Sequence, residues 1–208
     1  DEPKVLATMQ LIYRPDGTRN YLTDITNDTF LNYNGRIGIE LRGSSSQVLE
    51  KKPYGFTTLM EDDESNNNVN LLGMPSENDW VLNSLAYDPS MVRDYLSYTL
   101  SSNMGNYAPR VKYIEVIVND DYKGVYILTE KIKRDSDRVN LKKIADDDND
   151  FPDITGGYII KADKTTGGDE IAWTMPNYGG WDTNFLHHYP KNEDITSAQA
   201  NYIETIFY

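Results

Sequence analysis

The 208-residue chain contains no cysteine, and its histidines number only two. Without cysteine there is no disulfide, no thiolate metal site and no thiol nucleophile. The histidines, His187 and His188, are adjacent; neighbouring side chains point in different directions and do not form a chelating pair, so both are expected on an exposed loop. Positive charge is also scarce: 20 Lys and Arg stand against 33 Asp and Glu, a formal net charge of −13. Proteins that hold nucleic acid cover phosphates with Lys and Arg, so the balance argues against a nucleic-acid partner. A local cluster of cations can still hold a smaller anion. No apolar run approaches the roughly 18–20 residues needed to cross a bilayer, and no transmembrane segment is expected. An initiator Met and a signal peptide are missing as well. Asp1-Glu2-Pro3 reads as a processed or trimmed end, so any targeting segment is expected upstream.

What the chain does contain is tyrosine, sixteen of them, and alternating apolar runs bounded by turn residues. The stretch from Lys112 to Asn140 is the most informative. Tyr113 to Val118 and Tyr122 to Leu128 read as two strands around the turn chemistry of Asn119-Asp120-Asp121, and a dense row of charges, Glu130 to Arg138, follows. Arg36 to Arg42 alternates apolar with mostly charged residues, the signature of a half-buried strand. The predicted sheet is twisted and mainly antiparallel, built from 5–13, 36–42, 53–59, 112–128 and 158–163, with a helix near 89–103 packed on it. Asp88 before Pro89 is that helix's candidate N-cap. Residues 61–68 and 146–150 read as acidic solvated loops, 164–195 as a long loop, and Thr196 to Phe207 as a helix that reaches the chain end without a C-cap, as if the polypeptide continued. The fold class is α+β. One domain is expected over 1–208, with a β-rich lobe at 1–165 followed by a loop and the start of a helical lobe at 166–208.

Several residues suggest chemistry. Arg42-Gly43-Ser44-Ser45-Ser46 follows a strand and offers backbone N–H groups and hydroxyls to a phosphate, with Lys51-Lys52 nearby. It lacks the spacing of a Walker loop or of a dinucleotide-binding glycine pattern, and a polar turn is the commoner explanation of such a stretch. Lys161 lies on a predicted strand and Glu130 ends another; a strand lysine held by a carboxylate is how protein kinases anchor ATP, while two solvent-facing charges on a sheet is the simpler account. The acidic loops lack the glycine and closing glutamate of a calcium loop. The abundance of Asp and Glu leaves a carboxylate pair for glycoside hydrolysis open.

The blocks taken together say more than any one of them. Arg42-Gly-Ser-Ser-Ser, Lys51-Lys52-Pro53-Tyr54, Leu72-Gly73-Met74-Pro75 with Asp79-Trp80, Asp88 with Arg93, Met104-Gly105 with Tyr107-Ala108-Pro109-Arg110, the segment Asn119 to Glu130 and Gly156 to Asp163 occur in the order found in the CotH (spore coat protein H) kinases, and the chain resembles that family over roughly residues 36–205. The resemblance implies an atypical protein kinase that moves the γ-phosphoryl group of ATP, with Mg2+, to Ser or Thr of a secreted, coat or surface protein outside the cytoplasm. It makes Lys161 the first candidate for the ATP-phosphate lysine, with Glu130, Arg42, Lys52 and Ser45 as further cofactor-binding candidates. The family's catalytic and metal-binding Asp motif does not occur in residues 1–208 and is expected beyond Tyr208, so this chain is expected to be inactive alone. Gly55-Phe56-Thr57-Thr58 lacks a lysine that family members often carry after the KKPY block, and Asp94 stands where Asn is usual. The alternative is a non-catalytic extracytoplasmic module that binds glycan or protein through its aromatic faces.

Overall fold

The computed structural model describes residues 3–165, 169–176 and 179–208. The chain divides into two compact units, residues 2–131 and 132–208. Antiparallel sheets and two α-helices make the class α+β.

Six strands form the sheet of the first unit: β1 (Val5–Ile12), β2 (Leu31–Leu41), β3 (Tyr54–Leu59), β4 (Asp79–Asn83), β5 (Val111–Val118) and β6 (Asp121–Glu130). Their spatial order is β1-β2-β3-β4-β6-β5, every pair antiparallel. Successive side chains leave a strand on opposite faces, so the register sorts the sheet into an apolar and a polar side. Ile37, Phe56, Trp80, Leu82, Val116, Tyr126 and Leu128 take the apolar side and pack with Tyr33, Leu71 and Met74 into one core. Trp80 is fully buried and its indole N–H donates to the Glu77 carbonyl at 3.1 Å. Each large side chain buried in this way contributes roughly 1.5–3 kcal/mol.

The β5–β6 hairpin turns where expected. Asn119 and Asp120 have φ of 50° and 63°, the left-handed pair of a type I′ turn, whose twist matches that of the strands and which Asn and Asp tolerate. Farther along, Val116 faces Gly124 while Ile117 faces Tyr122, leaving Lys123 as the extra residue of a bulge.

Three expectations need correction here. Helix α1 (Arg93–Asn103) starts later than residue 89, because Met91 has a φ of 56° and breaks the turn before it. Val92, not Asp88, therefore takes the N-cap position, although Asp88 Oδ2 still accepts the Arg93 N–H at 2.9 Å from outside it. The helix buries none of its residues; Asn83 donates to Asp94 at 2.5 Å and Tyr95 stacks on Tyr113 of β5, ring centroids 5.1 Å apart. Strand β4 was not anticipated, since five residues between polar segments carry little periodic signal. The segment 158–163 does form a strand, but in another sheet.

That sheet belongs to the second unit. Its strands β7 (Ile159–Ala162), β8 (Trp173–Pro176) and β9 (Asp182–Tyr189) are antiparallel in the order β7-β9-β8. Two strands therefore occupy the stretch expected to be a long loop. His187 is correspondingly not an exposed loop residue: it is buried on β9, its Nδ1 3.1 Å from Asn192 Oδ1. The final helix, α2 (Ser197–Phe207), matches the spacing of Ala200, Ile203, Ile206 and Phe207. Thr196 and Gln199 form its capping box, Gln199 Nε2 donates to the Ala145 carbonyl at 2.7 Å, and Phe207 joins Trp173 and Phe185 in an aromatic cluster. Among the described residues no helix is long and apolar enough to cross a membrane.

Candidate functional site

The polar side of the six-stranded sheet carries the chemistry. Glu40 pairs with Gly55, Gly55 with Val81 and Val81 with Thr129, while Thr57 pairs with Asp79. Extending the β4–β6 register by one residue past Glu130 brings Lys131 opposite Asp79. On that side a small cleft is lined by Lys4, Glu40, Arg42, Gly55, Asp79 and Lys131. Gly55 is the glycine among its lining residues. A Cβ on Gly55 would stand 2.9 Å from Arg42 Cδ and 3.1 Å from Glu40 Oε1, so the missing side chain is what lets Arg42 and Glu40 lie across β3. The Lys4 side chain likewise runs over Gly38.

Hydrogen bonds order the cleft's centre. Lys4 Nζ donates to Thr57 Oγ1 at 2.5 Å, and the Thr57 hydroxyl donates to Asp79 Oδ1 at 2.8 Å. Burial pushes the Lys131 ammonium below the ordinary lysine value; Asp79 and Glu40 oppose the fall, and Lys4 and Arg42 add to it. A half-buried amine held between carboxylates and other cations is poised to gain from an arriving anion, which replaces lost water with charge. The cleft is too small to enclose a nucleotide.

Of the residues singled out in the sequence, Arg42 reaches this cleft. Glu130 turns to the other side, because it is one residue from Lys131 and the strand alternates. There its carboxylate is fully buried and takes the Arg110 main-chain N–H at 2.9 Å and Nη1 at 2.8 Å. Lys52 donates from Nζ to the Gln47 carbonyl at 2.5 Å, tying down the turn after β2. Ser45 opens the 3-10 turn Ser45–Val48, and its carbonyl accepts from the Tyr87 hydroxyl at 3.0 Å. Lys161 lies on β7 in the second unit and pairs with Asp169 at 2.5 Å.

Sequence reasoning missed Lys4, Glu40, Asp79 and Lys131 as site members. One signal was available for Lys131: it continues the alternation Ile127, Thr129, Lys131, opposite in parity to the core residues Tyr126 and Leu128. Lys4, Glu40 and Asp79 required the register. Among the described residues no group of three or more Asp, Glu or His side chains is gathered to hold a metal ion.

In this α+β protein of net charge −13, three cations and two carboxylates thus share one face of the six-stranded sheet. The family model described as CotH kinase protein matches residues 39–208, and the chain belongs to the CotH kinase family. No curated protein matches it.

Proposed function

We propose that this chain holds the phosphates of ATP for kinase chemistry, the γ-phosphoryl group passing to Ser or Thr of a secreted, coat or surface protein outside the cytoplasm. Family membership supports the reaction class. The observation that carries the role of these residues is the convergence of Lys4, Arg42 and Lys131 around Asp79 on one sheet face. Phosphoryl transfer asks a protein for fixed positive charge and positioning rather than covalent chemistry. Arg42 and Lys131 are the phosphate contacts, with Arg42 suited to a bidentate grip and Lys131 to a point charge. Lys161 with Asp169 is the second candidate for the phosphate lysine, and Ser45 and Lys52 shape the loop that follows Arg42. Mg2+, which neutralises charge on the phosphates when bound, is supplied with the nucleotide.

The test is a thermal-shift titration with Mg-ATP on the wild type and on Arg42→Ala, Lys131→Ala and Lys161→Ala. Ligand at a hundredfold its Kd stabilises by about 2.7 kcal/mol, a shift of several degrees. Loss of the shift in Arg42→Ala and Lys131→Ala supports the cleft; loss confined to Lys161→Ala moves the phosphate site to β7. No nucleotide shift in the wild type, together with capture of a glycan or protein, favours the binding-module reading.

A further inference from the structure

Lys4 lies outside residues 39–208, the span matched by the family model, yet it lines the cleft. Strand β1 delivers it. Val5 pairs with Ile39, which sets Lys4 beside Glu40, and the side chain then crosses Gly38, where a Cβ would stand 3.4 Å from its Cβ and Cδ. At the far end the ammonium is tethered to Thr57 Oγ1 at 2.5 Å, and Thr57 to Asp79. An otherwise exposed lysine is thus held over the cleft by its head.

The charge count gives this placement its weight. Arg42 and Lys131 are balanced by Glu40 and Asp79, so without Lys4 the cleft is neutral; with it, three cations face two carboxylates. In a chain of net charge −13 that surplus is the local source of attraction for an anion. A triphosphate carries more negative charge than a monophosphate and gains more from one added cation. Resting on the nucleotide reading above, we propose that Lys4, supplied by a strand that precedes the family-matched span, determines specificity in the cleft by favouring triphosphates over monophosphates.

The test is calorimetric binding of ATP, AMP and inorganic tripolyphosphate to the full chain as wild type, Lys4→Ala and Lys4→Arg. Lys4 is exposed, so both variants are expected to fold. Lys4→Ala should weaken ATP and tripolyphosphate by roughly fivefold, the worth of about one surface charge contact, and AMP by less than about twofold. Lys4→Arg should restore the wild-type ratio, and raised salt should narrow the gap between wild type and Lys4→Ala. An ATP-to-AMP preference unchanged in Lys4→Ala overturns the proposal. Tripolyphosphate binding without ATP binding in the wild type, still weakened by Lys4→Ala, leaves the role of Lys4 standing while the nucleotide reading falls. Binding of neither polyphosphate overturns both.

Discussion

Arg110 donates to the Glu130 carboxylate from its main-chain N–H at 2.9 Å and from Nη1 at 2.8 Å, and its carbonyl accepts the Glu130 N–H at 3.2 Å; the Glu130 side chain has no exposed surface whereas half of Arg110's is open to solvent. The pair locks the start of β5 to the end of β6 one residue before Lys131, so it fixes where the cleft's lysine emerges. Arg110→Met strands a buried carboxylate that keeps only its main-chain donor. A loss of about 2–3 kcal/mol is expected in urea unfolding, and adding Glu130→Leu should recover part of it, because replacing a buried pair with apolar groups is often neutral. A double variant no more stable than Arg110→Met alone would contradict this account.

Gly55 separates stability from binding. Its added Cβ would meet the flexible Arg42 and Glu40 side chains and not rigid backbone. Gly55→Ala should therefore change the unfolding free energy by less than about 1 kcal/mol while weakening Mg-ATP, since Arg42 is pushed from its place. Calorimetry beside urea denaturation checks both; unchanged affinity would show that Arg42 does not need β3's bare surface.

If Lys131 contacts the anion, binding should depend on pH with a definite sign. Burial lowers its pKa from the ordinary lysine value, so it is charged below that lowered pKa and neutral above it. Affinity for tripolyphosphate should fall as pH rises through the lowered value, which lies below the ordinary figure of about 10.4. Lys131→Arg stays charged across the same range and should hold its affinity to higher pH. Parallel pH curves for the two proteins would remove Lys131 from the site.

Gln199 organises the second unit. Its side chain is buried, donates to the Ala145 and Asp148 carbonyls at 2.7 and 3.3 Å, and accepts the Thr196 N–H at 3.2 Å. Gln199→Ala leaves these groups without their partner and opens space in the packing, a cost of about 2–3 kcal/mol. The measurement is urea unfolding followed by tryptophan fluorescence; a change below about 0.5 kcal/mol would mean water takes over all three bonds.

What was legible in the chain was local. Asn119-Asp120 between two β-branched runs specifies the β5–β6 hairpin because only residues tolerant of positive φ close that turn. The spacing of Ala200 to Phe207 marks α2 for a similar reason, since one helical face repeats within a few residues. β9 was harder: its polar Thr183 and Asn184 and the paired histidines mask its alternation, and burial of His187 comes from tertiary packing. β4 is too short to announce itself and becomes a strand because β3 and β6 hydrogen-bond to it on either side.

The sequence by itself determined the α+β class, the main hairpin, the last helix and the family, through turn chemistry, periodicity and the order of short blocks. Only the tertiary structure decided which charges meet. Glu130 and Lys131 are neighbours in the chain yet emerge on opposite faces of the sheet, one into the core with Arg110 and the other into the cleft with Asp79. Lys4 joins them from about 75 residues before Asp79, because hydrogen-bond register, with its period of two residues, converts position along a strand into position on a face.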